Sequence, residues 1–178
     1  MAKPALLIVD VQEAMITGKM YRERETLSAI ERLLAAARTE HVPVLFVRHD
    51  YGAGHVWEHG TLGWQIYTPL VPLPQESIID KQRNSAFFHT ELDALLKERE
   101  VDTLVICGVH TEYCIDATIR SACEREYAVI VPSEANTTNG NEYMTAERLH
   151  SYYNDFIWQR RYAQVLPIEP VLRILEGG

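Results

Sequence analysis

Several features are scarce in this chain, and each scarcity narrows what it can be. Cysteine occurs three times in 178 residues, an odd and small number that supports no disulfide framework and leaves the thiols free for other chemistry. Basic stretches are missing. Lys and Arg total 17 against 25 Asp and Glu, a formal net charge of −8, which argues against a nucleic-acid partner. Long apolar runs are missing too. The first hydrophobic segment, Ala5 to Val9, follows Met1-Ala2-Lys3-Pro4 directly and is too short for a signal or a membrane span. A cytoplasmic protein with no membrane partner is therefore expected. What is present suits one globular domain over residues 1–178, with 47% apolar and 24% charged residues.

Short apolar runs alternate with amphipathic ones. Ala5–Val9 reads as a buried strand ending at Asp10, and Leu27, Ile30, Leu33 and Leu34 recur at helical spacing between Arg22 and Glu40. Val42–Val47 and Ser77–Asp80 read as the next two strands. Between them, residues 49–75 hold four glycines and three prolines without a sustained period, which predicts a long loop of the kind that often serves function. Leu92, Leu95 and Leu96 mark a helix capped by Thr90, and Thr103–Cys107 is the clearest central strand. Cys114–Arg125 reads as helix, Ala128–Val131 as strand, Asn141–Trp158 as helix, Ala163–Leu166 as strand and Glu169–Leu175 as a closing helix. This alternation predicts an α/β domain with a parallel sheet covered by helices on both faces. Such sheets bind ligands beyond the carboxyl ends of their strands. Asp10, Lys81 and Cys114 follow the first, third and fourth strands, so all three are expected at one edge.

The run Ile106-Cys107-Gly108-Val109-His110-Thr111-Glu112-Tyr113-Cys114-Ile115 carries the sharpest chemical signal. A cysteine where a helix begins meets free N–H groups and the positive end of the dipole. Both lower a thiol's pKa and can receive the oxyanion formed when a thiolate attacks a carbonyl. Taken singly, Cys114 could be a small buried side chain, Asp10 a turn cap and Lys81 a surface ammonium. Taken together they supply a nucleophile, a base and a positive charge. Cys107, inside a buried strand, and Cys123, on the opposite side of the helix from Cys114, read as structural. His110 could pair with the thiol through its ring, but its place before the helix offers its backbone to a substrate instead.

Leu7-Ile8-Val9-Asp10-Val11-Gln12, then Ile79-Asp80-Lys81 with Ser85-Ala86-Phe87, then Gly108 to Cys114 followed by Thr118 and Arg120, resemble the isochorismatase-like cysteine hydrolases, which include nicotinamidases and related amidases. The resemblance runs in order through residues 5–131. It implies a six-stranded parallel sheet in a Rossmann-like three-layer fold, an Asp10–Lys81–Cys114 triad and a cis peptide between Val109 and His110. It further implies an oxyanion hole formed by the His110 and Cys114 backbone N–H groups, a small-molecule amide substrate and assembly into a homo-oligomer. Gln12, His49, Trp64, Phe87 and Tyr113 are expected to border the substrate pocket.

The chain also departs from that pattern. Nicotinamidases hold a divalent metal with an Asp-x-His pattern after the second strand, whereas this place reads Arg48-His49-Asp50-Tyr51-Gly52. His55 and His59 have i, i+4 spacing, but Gly52, Gly54, Gly60 and Gly63 oppose the helix that such a ligand pair needs. No metal and no cofactor are therefore expected, and these histidines with Trp57 or Trp64 read as a pocket border. Relatives that cleave a vinyl ether lack a cysteine at the position of Cys114, so its presence favours acyl transfer. Ser133-Glu134-Ala135 stands where an aspartate-alanine pair is common. Tyr152, Tyr153, Phe156, Trp158 and Tyr162 read as core or subunit interface. The expectation is a cysteine-dependent, metal-independent amidohydrolase that cleaves a small carboxamide or related C–N bond through a thioester. A metal-dependent nicotinamidase and a catalytically idle binding or assembly module of the same fold stand as alternatives.

Overall fold

From Ala5 to Val9 every side chain is apolar, so a strand there has to be buried on both faces. The computed structural model, which describes residues 2–177, places it at the middle of the sheet. Among these residues the strands are β1 (Pro4–Val9), β2 (Val44–His49), β3 (Ser77–Lys81), β4 (Thr103–Val109), β5 (Ala128–Pro132), β6 (Asn136–Thr137) and β7 (Gln164–Leu166). They form one sheet in the order β3-β2-β1-β4-β5-β7, with β6 paired to β4. Every pairing is parallel. The six-stranded path implied by the resemblance is thus joined by a two-residue seventh strand. β5 pairs with β4 only as far as Val105, and β6 takes its place beside Gly108 and Val109.

The helices are α1 (Glu23–Thr39), α2 (Leu92–Glu98), α3 (Asp116–Cys123), α4 (Ala146–Ser151) and α5 (Ile168–Leu175). Successive strand residues point to opposite faces, and the core divides accordingly. Leu7, Val9, Leu45, Val47 and Ile106 pack with Leu92, Leu96 and Ile119 on one side. Leu6, Ile8, Phe46 and Val105 pack with Ile30, Leu33, Val171 and Leu175 on the other. No helix among the described residues is long and apolar enough to cross a membrane.

Two predicted helices differ in form. The segment from Asn141 to Trp158 starts its helix only at Ala146, where the Thr145 hydroxyl accepts the Arg148 N–H, and widens into π-helical turns over Tyr152–Trp158. The Asn154 side-chain amide donates to the His150 carbonyl, the acceptor that its own backbone N–H would use in an α-helix, and such competition loosens regular helix. Trp158 is fully buried, whereas Tyr152 and Phe156 stack on each other at the surface. The stretch after His110 likewise begins as a π-helical turn, Thr111–Ile115, before α3.

Candidate active site

The chain runs from β1 outward to β2 and β3, then returns to β4 on the other side of β1. The crevice at the carboxyl ends of β1 and β4 is therefore the switch point where doubly wound sheets bind ligands. Close approach of the two strand ends depends on Gly108, which pairs with Val9. Its φ is +126°, and a Cβ there would stand 2.0 Å from the Val9 carbonyl oxygen, so only glycine fits. The Val109–His110 peptide that follows is cis.

Asp10 leaves β1 with φ 56°, a left-handed conformation that aspartate tolerates better than most residues. Its N–H donates to the Val47 carbonyl at 3.0 Å, and its side chain is fully buried. Lys81 ends β3, two strands away from β1, with β2 between them. Strands lie about 4.8 Å apart, so the two side chains must together span roughly 10 Å, and the long lysine stem covers the larger part of it. The Lys81 Nζ donates to Asp10 Oδ2 at 2.7 Å and to Cys114 Sγ at 3.2 Å, and lies 2.8 Å from His49 Nδ1. Asp10 Oδ1 is buried without a hydrogen-bond partner, and the carboxylate, the His49 ring nitrogen and the sulfur lie within 4.8 Å of one another. The three sequence-predicted residues thus meet at one point, joined by His49.

The charge states follow from this packing. Burial pushes the Asp10 carboxyl up, but the Lys81 ammonium beside it outweighs this and holds it below the ordinary range. Burial opposes the charge on Lys81, yet the adjacent Asp10 carboxylate leaves its pKa raised. Cys114 departs from the expectation drawn from its helix-end position. Burial and the nearby Asp10 charge push its thiol well above the ordinary value, and Lys81 only partly offsets them. The reason is structural: Cys114 sits inside a buried π-helical turn, not at the exposed first turn of an α-helix. The resting centre therefore holds a carboxylate, an ammonium and a neutral thiol. Cys107 is also raised, by burial alone, as befits a structural thiol.

A small cleft of about 200 Å³ opens onto the sulfur, lined by Asp10, Met15, His49, Tyr51, Trp57, His110, Glu112, Tyr113, Cys114 and residues 138–141. Of the expected pocket residues, His49 and Tyr113 border it. Gln12 lies beneath, fully buried, its side-chain amide bonded to the His49 N–H (2.8 Å), the His49 carbonyl (3.1 Å) and the Trp64 carbonyl (2.9 Å). Trp64 packs face-on against the Arg48 guanidinium at 3.5 Å, and Phe87 sits in the core beside Tyr127. Neighbourhood in the sequence does not set side-chain direction, which separates these three from the cleft. Met15, Tyr51, Glu112 and residues 138–141 went unforeseen, although Asn136-Thr137-Thr138-Asn139-Gly140-Asn141 is a polar run past a strand end. That is the signal that singled out Asp10 and Lys81. The His110 ring lies against Asn139.

Two places could be considered for a metal. In the first, Asp10, His49 and Cys114 form a converging donor set, but the Lys81 ammonium already lies 2.7–3.2 Å from all three. The residues present do not fit a metal there, because a cation of the protein's own occupies the centre. In the second, the loop after β2, Asp50 accepts the Gly52 and His59 backbone N–H groups and the Gln82 side-chain amide. The His55 ring lies between Tyr51 and Trp57, and the His59 ring lies on Trp64. These groups shape the loop.

A sequence profile of the Isochorismatase domain matches residues 4–160. A streptothricin hydrolase of Streptomyces noursei is 37% identical over 136 residues, 75% of this chain and 49% of that protein. The chain thus spans about half the length of the first curated relatives it matches. An uncharacterized isochorismatase family protein of Bacillus subtilis strain 168 is 34% identical over 155 residues, covering 82% of this chain and 86% of the other. Among solved structures, a cysteine hydrolase from Pseudomonas syringae pv. phaseolicola 1448A superposes with a TM-score of 0.91 at 26% identity, over 98% of this chain and 93% of that one.

Proposed function

Because the chain belongs to the isochorismatase family, we propose that it is a hydrolase that cleaves a small carboxamide or related C–N bond through a thioester on Cys114. The observation that carries this reading is the buried meeting of Asp10, Lys81 and Cys114, with Asp10 Oδ1 left without a partner. The neutral thiol needs a base at the moment of attack, and Asp10 Oδ1 is the free acceptor beside it. As Sγ bonds to the substrate carbonyl carbon, its proton passes to Asp10. The Lys81 ammonium steadies the negative charge on both groups. The backbone N–H groups of His110 and Cys114 receive the oxyanion. Collapse breaks the C–N bond, and ammonia or an amine leaves with the proton from Asp10. Water, deprotonated by the same carboxylate, attacks the thioester, and the acid departs as the thiol regains its proton.

The family contains proteins named for amide hydrolysis, and the Streptomyces relative carries a hydrolase name. On this reading the charge that a metal supplies in some hydrolases comes here from Lys81, so turnover is metal-independent. An ammonia-release screen across small amides, run with wild type and Cys114→Ala, with and without chelator, tests it. Wild type is expected to turn over in both conditions, and Cys114→Ala to lose at least about 10⁴-fold. Wild-type-like activity in Cys114→Ala sinks the thioester. Activity lost to chelator and restored by zinc points to the metal-dependent alternative. No turnover together with a thiol inert to iodoacetamide even at alkaline pH points to an idle module.

A further inference from the structure

The buried centre contains one group that the reaction above leaves without a task. His49 is 4% exposed, its Nδ1 lies 2.8 Å from Lys81 Nζ, and it is also 3.5 Å from Cys114 Sγ and 3.7 Å from Asp10 Oδ2. Its position is fixed from three directions. The backbone pairs in register with Lys81, the Gln12 amide grips both its N–H and its carbonyl, and the Tyr51 ring stacks on the imidazole at 4.3 Å. A side chain held this firmly beside a nucleophile invites the assumption that it is the base. The hydrogen bonds assign it otherwise.

A lysine ammonium has three N–H groups and no acceptor. Around Lys81 Nζ stand three partners at bonding distance: Asp10 Oδ2, Cys114 Sγ and His49 Nδ1. With the first two taking one N–H each, the third falls to His49, and only a ring nitrogen with a free lone pair can accept it. The proton of a neutral imidazole then sits on Nε2, and Nδ1 has no lone pair left for the thiol proton.

We propose that His49 is a positioning residue: its Nδ1 accepts the third N–H of Lys81 and so aims the other two at Asp10 and Cys114. This rests on the reading of Cys114 as nucleophile, but it can be tested without any substrate. Removing the acceptor leaves one N–H of a buried ammonium without a partner. The amine then turns toward its strongest remaining partner, the Asp10 carboxylate, and the sulfur loses its donor. The same logic separates substitutions of similar size. In His49→Asn the side-chain carbonyl oxygen stands close to where Nδ1 was and can still accept. In His49→Leu nothing can.

The experiment reads the rate of iodoacetamide alkylation at Cys114 at one fixed, mildly alkaline pH, resolved by peptide mass spectrometry, in wild type, His49→Asn, His49→Gln and His49→Leu. Because the thiol stays mostly protonated there, the rate follows its thiolate fraction, and it is expected to fall about tenfold in His49→Leu and to stay near wild type in His49→Asn. On any amide found to be a substrate, kcat/KM should fall about 100-fold in His49→Leu and less than about tenfold in His49→Asn. If His49→Leu does not fold, His49→Gln carries the same test, because its longer amide reaches past the Nδ1 position. An unchanged alkylation rate in His49→Leu, or equal losses in His49→Asn and His49→Leu, overturns the proposal. The second result together with a vanished acid limb in the kcat/KM profile instead makes His49 the base. Should no amide be hydrolysed, the functional reading fails while the alkylation rates still decide the role of His49.

Discussion

The carboxyl edge of the sheet carries two gatherings of ionisable side chains, an inner one at the end of β1 and an outer one on the loop after β2. The inner set is Asp10, His49, Lys81 and Cys114, all buried, with their functional atoms turned toward one point and one carboxylate oxygen left without a partner. The outer set, Asp50, His55 and His59, contains residue types of equal chemical capability. Its carboxylate is taken up by Gly52, His59 and Gln82, and its two rings pack against neighbouring aromatic rings. The difference lies in what the polar atoms are left free to do. A group whose hydrogen bonds shape its own loop has nothing left to offer a ligand, whereas a group buried with an open lone pair is poised for proton transfer.

The comparison breaks most visibly at Lys81. Lys81→Met removes the cation from the inner set, leaves Asp10 buried without its partner, and is expected to cost about 3–5 kcal/mol in denaturant unfolding and about 10³-fold in kcat/KM. Asp10→Asn/Lys81→Met, which removes both charges, should lose less stability than the two single variants summed. A strictly additive result would mean that the pair does not act as one unit.

The titration of the inner set gives the next largest effect. Asp10 is held below its ordinary 3.8, so its contribution to stability is complete above that pH and is lost as the pH falls through its folded value. Lys81 is held above 10.5, so its contribution is complete below that pH and is lost as the pH rises through its folded value. In wild type kcat/KM should therefore be flat from about pH 5 to 8. In Lys81→Met burial acts on Asp10 without the ammonium to oppose it, and the acid limb should move upward. A limb that moves down or stays put refutes the charge assignment.

The smallest effects are expected from the outer set. His55→Ala and His59→Ala should each change kcat/KM by less than about tenfold, and Asp50→Ala should act mainly through a lower melting temperature as the loop loosens. A 100-fold fall in kcat for His59→Ala without a change in melting would show that the outer set also takes part in chemistry.

Much of the inner set was legible in the sequence, because a parallel sheet brings strand-end residues to one edge whatever the details of packing. Asp10, Lys81 and Cys114 needed only the strand order to be placed together. Gln12, Trp64 and Phe87 show where that reasoning stops. Gln12 and Phe87 belong to the motifs and Trp64 to the loop after β2, yet Gln12 turns under β2, Trp64 turns onto Arg48 and Phe87 turns into the core. Side-chain direction past a strand end is set by tertiary contacts that no period encodes. The thiol's raised pKa escaped for a related reason, since it comes first from burial of the turn around Cys114, which tertiary packing sets.

The reach of Lys81 across the end of β2 has a bearing on the life of the chain before it is finished. Its partners come from β1 and β4 while it stands on β3, and these strands leave a ribosome in the order β1, β3, β4. Until all three have come together, Cys114 does not have both its proton acceptor and its ammonium beside it. A half-made molecule therefore carries a dormant thiol. The same holds for an old one whose edge strand has peeled away, so on the mechanism proposed above the ability to form a thioester would certify that the sheet is whole.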